Sequence, residues 1–181
     1  GTFGFYYHNP VTSKRKLKEF MDQADGIRGV KKARCAIQYI NDHARSPMEI
    51  LQAMLVSLPL AYGGFGIKDM ELNGEAKLSD QSQTILQWKT CHCDVIWKKQ
   101  KVVLEYDSDQ VHRNASQYAQ DKRRITALGT SGYQVFTLTT ADIHNLSRIE
   151  TILFSLRKSL HLRADKHRFV QFKGKRLGLM A

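Results

Sequence analysis

Apolar residues recur at helical spacing after residue 46, and at alternate or consecutive positions through the middle of the chain, so the elements follow from two periods. Ser46 can cap a helix, Pro47 suits its first position, and Glu49 falls three residues past the cap as in a capping box. Ile50, Leu51, Met54, Leu55 and Leu58 then share a face, and the helix should end near Pro59. Gly63, Gly64 and Gly66 make a loop. Asn73-Gly74 predicts a hairpin turn between a strand at 67–72 and a short one at 76–78. A longer strand is expected over Trp88 to Trp97, a turn over Lys98 to Lys101, and an apolar strand over Val102 to Tyr106. Asn114 to Gly129 reads as a helix with Tyr118, Ile125 and Leu128 inward, and Tyr133 to Leu138 as a strand. Thr140 should cap a last long helix whose stripe is Ile143, Leu146, Ile149, Ile152, Leu153, Leu156 and Leu160. The order is helix, strands, helix, strand, helix, with no internal repeat.

Composition narrows the class. The 181 residues are 42% hydrophobic and 25% charged, too apolar for a disordered chain and too mixed for a fibrous one. No apolar run approaches the length of a membrane span, and the N-terminus lacks the pattern of a signal peptide, so a soluble intracellular protein with no membrane partner is expected. Three cysteines, Cys35, Cys91 and Cys93, do not suggest a disulfide framework. Twenty-eight Lys and Arg against 17 Asp and Glu give a net charge of +11, which points to a polyanionic partner, nucleic acid first among them. The charge gathers at the ends: Ser13 to Arg34 holds eight basic and three acidic residues, and His161 to Arg176 holds six Lys and Arg against Asp165 alone. This divides the chain into a basic N-terminal segment at 1–45, a compact domain at 46–162 and a basic C-terminal tail at 163–181. The chain begins at Gly1, not Met, so the first segment could be the end of an upstream domain. Phe3, Phe5, Tyr6 and Tyr7 within it could dock on a core or stack on bases, docking being the commoner use.

The informative stretch is Cys91 to His112, CHCDVIWKKQKVVLEYDSDQVH. Folded as a hairpin with a two-residue turn at Lys99-Gln100, it sets residue i opposite residue 199 − i. Asp94 then faces Glu105 and His92 faces Asp107, and alternation puts all four on one side. Cys91, Cys93, Val95 and Trp97 would share the other side with Val102, Leu104 and Tyr106. Two carboxylates facing each other across a ladder repel. A hard divalent cation would neutralise them, since Mg²⁺ typically takes one or two protein carboxylates and keeps its waters. A three-residue loop would instead shift the register by one and send Asp94 to the opposite face. Zinc is not expected at Cys91-His92-Cys93, because alternation points His92 away from both thiols.

These residues belong to a longer ordered set: Glu49 on the first helix, Asp94, Glu105-Tyr106-Asp107, His112, Asp121 with Arg124 and Leu128, and Gly132-Tyr133-Gln134-Val135. Over roughly 28–142 this set resembles the PD-(D/E)xK nuclease superfamily, and within it the very-short-patch-repair endonuclease-like branch found in many bacterial proteins. The resemblance implies an α/β restriction-endonuclease-like fold, a three-layer core with a central mixed sheet flanked by helices. It also implies Mg²⁺- or Mn²⁺-dependent hydrolysis of phosphodiester bonds in nucleic acid, with DNA the expected substrate, in a bacterial cytoplasm beside the nucleoid. Asp94, Glu105 and Asp107 would be the metal ligands, Glu49 would complete the acidic cluster, and His112 would position or deprotonate the attacking water. The third motif position, usually Lys, is Asp107, so the cation must come from elsewhere, Lys101 or Arg124. Lys101, Lys122 and Arg124 are the expected nucleic-acid contacts. Ser108 stands where relatives tend to have Gly. A homodimer would cut both strands where a single domain nicks one. Two other classes compete with the enzyme. One is a nuclease-fold nucleic-acid-binding or toxin–antitoxin-type regulatory module without turnover, and the other an interaction protein whose acidic face is only solvated.

Overall fold

The computed structural model describes residues 11–107, 115–163 and 166–180, and it divides into two compact units, Gly1–Asp42 and His43–Ala181. In the first unit, helix α1 (Lys14–Asp22) starts at Ser13, whose side chain accepts from the Lys16 N–H at 3.3 Å. Helix α2 (Val30–Ile37) is entered through Gly29 at φ 90°, a left-handed conformation that glycine adopts without steric cost. Arg34 ties the pair together: its guanidinium donates to the Met21 carbonyl at 2.7 Å and to Asp25 at 2.7 Å. Among the described residues of this unit the one buried hydrophobic side chain is Ala24, so the basic stretch is a helical pair with almost no core of its own.

The second unit holds α3 (Pro47–Ser57), β1 (Glu71–Lys77), α4 (Asp80–Leu86), β2 (Thr90–Trp97), β3 (Val102–Asp107), α5 (Ala115–Thr130), β4 (Gln134–Thr139), α6 (Thr140–Ile143), α7 (Leu146–Ser159), α8 (Lys166–Gln171) and α9 (Lys173–Met180). The sheet order is β1-β2-β3-β4. The first two pairings are antiparallel and β3 with β4 is parallel, a connection that needs a crossover, supplied by α5. Val102 and Leu104 enter one buried cluster with Ala53, Leu55 and Val56 of α3 and Ile149, Leu153 and Leu156 of α7. Val103, between them, enters a second cluster with Leu86 of α4 and Ala127 and Leu128 of α5. Helices therefore cover both faces of a mixed sheet, giving an α/β arrangement in three layers.

Ser46 caps α3 through the Glu49 N–H at 3.1 Å and Pro47 opens it, as the sequence predicts. The hairpin expected at Asn73-Gly74 does not form. Both residues lie inside the single strand β1, with Asn73 in the left-handed region at φ 49°. The consequence is visible in the packing. Leu72 belongs to the first cluster and Ala76 to the second, although a regular strand would put both on one side. In β2 the same switch separates Val95 and Trp97 from Cys91 and Cys93. The pairing stays in step throughout, Leu72 with Val95 and Gly74 with Cys93, so both strands reverse their faces together at Asn73 and Asp94. This overturns the expectation that Cys91 and Cys93 share a face with Val95, Trp97 and Leu104. Gly74 is required by close approach: a Cβ there would lie 2.5 Å from Ile96 Cγ2. Gly74→Ala should cost about 1–3 kcal/mol through that overpacking, read as a lower urea midpoint at unchanged m-value.

Other expectations shift for local reasons. Residues 80–86 form an unexpected helix capped by Ser79, whose hydroxyl accepts from the Ser82 N–H at 3.3 Å. The last helix begins twice, with Thr139 and Asp142 making a capping box for α6 and Asn145 capping α7. Leu128 of α5 is buried, but Tyr118 and Ile125 are exposed. The segment 163–181, expected as a basic tail, carries α8 and α9, and Phe169, Arg176 and Met180 are buried against the rest of the unit. The Arg176 guanidinium is fully enclosed, with Glu150 at 3.1 Å and the Phe65 ring centroid at 5.0 Å. Among the described residues no helix is long and apolar enough to cross a membrane.

Candidate active site

The register of β2 with β3 positions the acidic residues. Val95 pairs with Leu104, Ile96 with Val103 and Trp97 with Val102, so every pair sums to 199. The turn spans four residues, Lys98 to Lys101, and is closed by the Lys101 N–H on the Lys98 carbonyl at 3.3 Å. Four residues in place of two preserve the parity, and with it the faces of β3. Beyond Val95 and Leu104 the two strands part. β3 continues along β4, with Glu105 beside Thr137, and β2 continues along β1. Asp94 and Glu105 sit at the parting, where the Asp94 carboxylate, not its backbone, accepts from the Tyr106 N–H at 2.7 Å.

Glu105 is 4% exposed. Its Oε2 accepts from Arg124 Nη2 at 2.6 Å, while Oε1 is buried with no hydrogen-bond partner. Arg124 comes from α5 and also donates Nη1 to the His92 carbonyl at 2.8 Å, bridging the strands where they separate. Burial pushes the Glu105 carboxyl up to about 7, and the Asp94 charge pushes the same way against the opposing Arg124 guanidinium. Burial also raises Asp94, as does the charge of Glu49, while the Tyr106 N–H, Arg124 and Arg45 pull it down. Two neighbouring carboxyls that both hold their protons more tightly than usual mark a place where negative charge is confined and in need of a counter-charge.

Glu49, in the first turn of α3, acts on Asp94 from the other layer. Its Oε2 accepts from the Arg45 N–H at 2.8 Å, one residue before the cap, and from Asn73 Nδ2 at 2.7 Å. Asp107 ends β3 beside Thr139. His92, expected on the acidic face, is exposed and directed to Glu75, 3.6 Å away, and to the Asn73 carbonyl at 3.3 Å; what it contributes to the site is its carbonyl. Of the two candidate cations, Arg124 reaches the cluster. Lys101 lies in the turn at the opposite end of the hairpin, where its Nζ donates to the Ser131 carbonyl at 3.0 Å above the Tyr133 ring. Lys122 is exposed on α5, 5.2 Å from the Tyr118 ring centroid. His112 and Ser108 lie outside the described residues, as do Phe3, Phe5, Tyr6 and Tyr7.

Sequence reasoning missed two partners, the Tyr106 N–H on Asp94 and the Asn73 amide on Glu49. The first follows from strands that part, which no residue pattern announces. The second was written in the Asn-Gly step, whose ordinary use as a turn concealed it. Among the described residues no group of three or more His, Cys, Asp or Glu side chains is placed to hold a metal. The two carboxylates still suit a hard cation: they offer oxygen donors, one of them, Glu105 Oε1, is buried without a partner, and Mg²⁺ commonly takes no more than two from the protein. Comparison of the chain with protein-family models, curated proteins and solved structures finds no match.

Proposed function

We propose that the chain is a Mg²⁺- or Mn²⁺-dependent endonuclease of restriction-endonuclease-like fold, in the very-short-patch-repair-like branch of the PD-(D/E)xK superfamily, hydrolysing phosphodiester bonds in DNA. The observation that carries the reading is the half-buried Asp94 beside the buried Glu105 where β2 and β3 part, with Glu105 Oε1 lacking a hydrogen-bond partner. Asp94 and Glu105 would hold the cation, which supplies charge stabilisation to a phosphate and acidity to a bound water. The remaining work falls to the chain. The Tyr106 N–H fixes Asp94, Arg124 fixes Glu105, and Glu49 adds a third negative group from α3. In this reading Asp107 and His112 act on the water side, directly or through water. Lys122, exposed on α5, contacts a neighbouring phosphate, which orients the substrate without reading its sequence. Such an enzyme would act in a bacterial cytoplasm near the nucleoid.

A second reading, a nucleic-acid-binding or toxin–antitoxin-type regulatory module without turnover, is favoured by one observation. Arg124 already neutralises Glu105 at 2.6 Å, as a cation would.

Cation binding separates the two. Glu105 holds its proton up to about pH 7 in the folded chain, against an ordinary value of 4.5. Folded protein therefore binds more protons than unfolded protein between those values, and the stability contributed by that proton is lost as the pH rises through about 7. A metal competes with the same proton. Millimolar Mg²⁺ should raise the Tm clearly at pH 8 and little at pH 6, and Glu105→Gln should abolish the difference. A Tm indifferent to Mg²⁺ and Mn²⁺ at pH 8 would favour the module without turnover.

A further inference from the structure

Asn73 was expected in a turn, and the structure gives it a different task. In the β1–β2 register Leu72 pairs with Val95 and Gly74 with Cys93, which sets Asn73 opposite Asp94. Asn73 takes the left-handed conformation at φ 49°, although the residue beside it, Gly74, would adopt it at lower cost. The side chain explains why an asparagine stands here. Its Nδ2 carries two hydrogens and uses both, donating to Glu49 Oε2 at 2.7 Å and to the His43 carbonyl at 2.7 Å. The first bond holds the acidic residue of α3. The second anchors the amide to the backbone just before that helix, while the Asn73 carbonyl meets His92 Nδ1 at 3.3 Å. One residue of β1 thus links the helix that carries Glu49 to the neighbouring strand β2, which carries Asp94, at the step where both strands reverse their faces.

Resting on the nuclease reading above, we propose that Asn73 is a positioning residue of the acidic site: its left-handed backbone and its amide together aim the Glu49 carboxylate at Asp94. Outer partners of this kind typically contribute 10- to 100-fold to metal affinity or activity without touching the metal.

The test uses the full chain and four proteins: wild type, Asn73→Gly, Glu49→Gln and the double variant. Glycine keeps the left-handed backbone at no steric cost and removes only the amide, so its Tm should stay near that of wild type. Mn²⁺ affinity, measured by calorimetry, and metal-dependent DNA cleavage should both fall by about 10- to 100-fold in Asn73→Gly. In the Glu49→Gln background the same glycine should change neither, because the carboxylate it positions is gone, so the two effects should be strongly non-additive. Asn73→Asp, which tolerates the left-handed backbone but places a negative group against Glu49, should lose more than Asn73→Gly. Wild-type affinity and rate in Asn73→Gly would overturn the inference while leaving the nuclease reading standing. So would an undiminished glycine effect in the Glu49→Gln background. A wild-type chain that neither binds Mn²⁺ nor cuts DNA would overturn the nuclease reading and this inference with it.

Discussion

Asp94→Asn is expected to lower metal-dependent cleavage by on the order of 100- to 1,000-fold while leaving the fold intact. The amide replaces the carboxyl without change of shape, and its oxygen can still accept the Tyr106 N–H now 2.7 Å from Asp94. What disappears is a negative charge that burial and Glu49 already disfavour. With that unfavourable charge removed, the Asn variant should match or exceed the wild-type Tm at pH 8. Activity lost with stability kept or gained is the signature of a charge held for chemistry. Measured together, single-turnover cleavage rates and thermal melts at pH 8 check it. A variant that melts far below wild type would make Asp94 a structural residue.

The second large effect concerns stability. Phe169→Ala should destabilise the unit His43–Ala181 by about 3–5 kcal/mol, read from urea unfolding. Phe169 is 2% exposed and its ring lies 4.6 Å from that of Phe154 and 5.3 Å from that of Phe65, centroid to centroid. The guanidinium groups of Arg157 and Arg176 stand 5.3 and 5.8 Å from the same ring, so truncation removes cation–π partners along with apolar contact. A tail projecting into solvent would tolerate the change at a cost below about 0.5 kcal/mol.

That contrast shows how the sequence misled at the C-terminus. Six Lys and Arg between His161 and Arg176 read as a solvated arm, because charge is normally outside. Arg176 is the exception: its guanidinium lies against the touching rings of Phe65 and Phe169 and pairs with Glu150, and no local pattern distinguishes it from its exposed neighbours Lys173 and Lys175. The acidic hairpin was legible for the opposite reason. The faces of its strands follow from the parity of the turn and the sum of 199 from its centre, which the four-residue loop shares with a two-residue turn at Lys99-Gln100, although the pairing ends at Val95 with Leu104, one step short of the expected Asp94 and Glu105. The failure on the faces of Cys91 and Cys93 traces to Asn73, where a residue favoured in turns serves as an irregular step within a strand. Helix α5 was placed within a residue of its ends, yet Tyr118 and Ile125 are exposed, since periodicity predicts a face and not what covers it. Glu49, Asp94, Glu105 and Arg124 were all named from sequence. What brings them together is the parting of β2 from β3 and the amide of Asn73, both products of tertiary geometry.

The measurement that bears most directly on the central claim is conversion of supercoiled DNA by the purified chain in Mg²⁺, Mn²⁺ or EDTA, beside the Asp94→Ala plus Glu105→Ala variant. Nicked or linear product with either metal, none in EDTA and none from the variant, is the expected result. DNA retained by the wild-type chain but left uncut in both metals would contradict the enzyme and leave a nuclease-fold binding module.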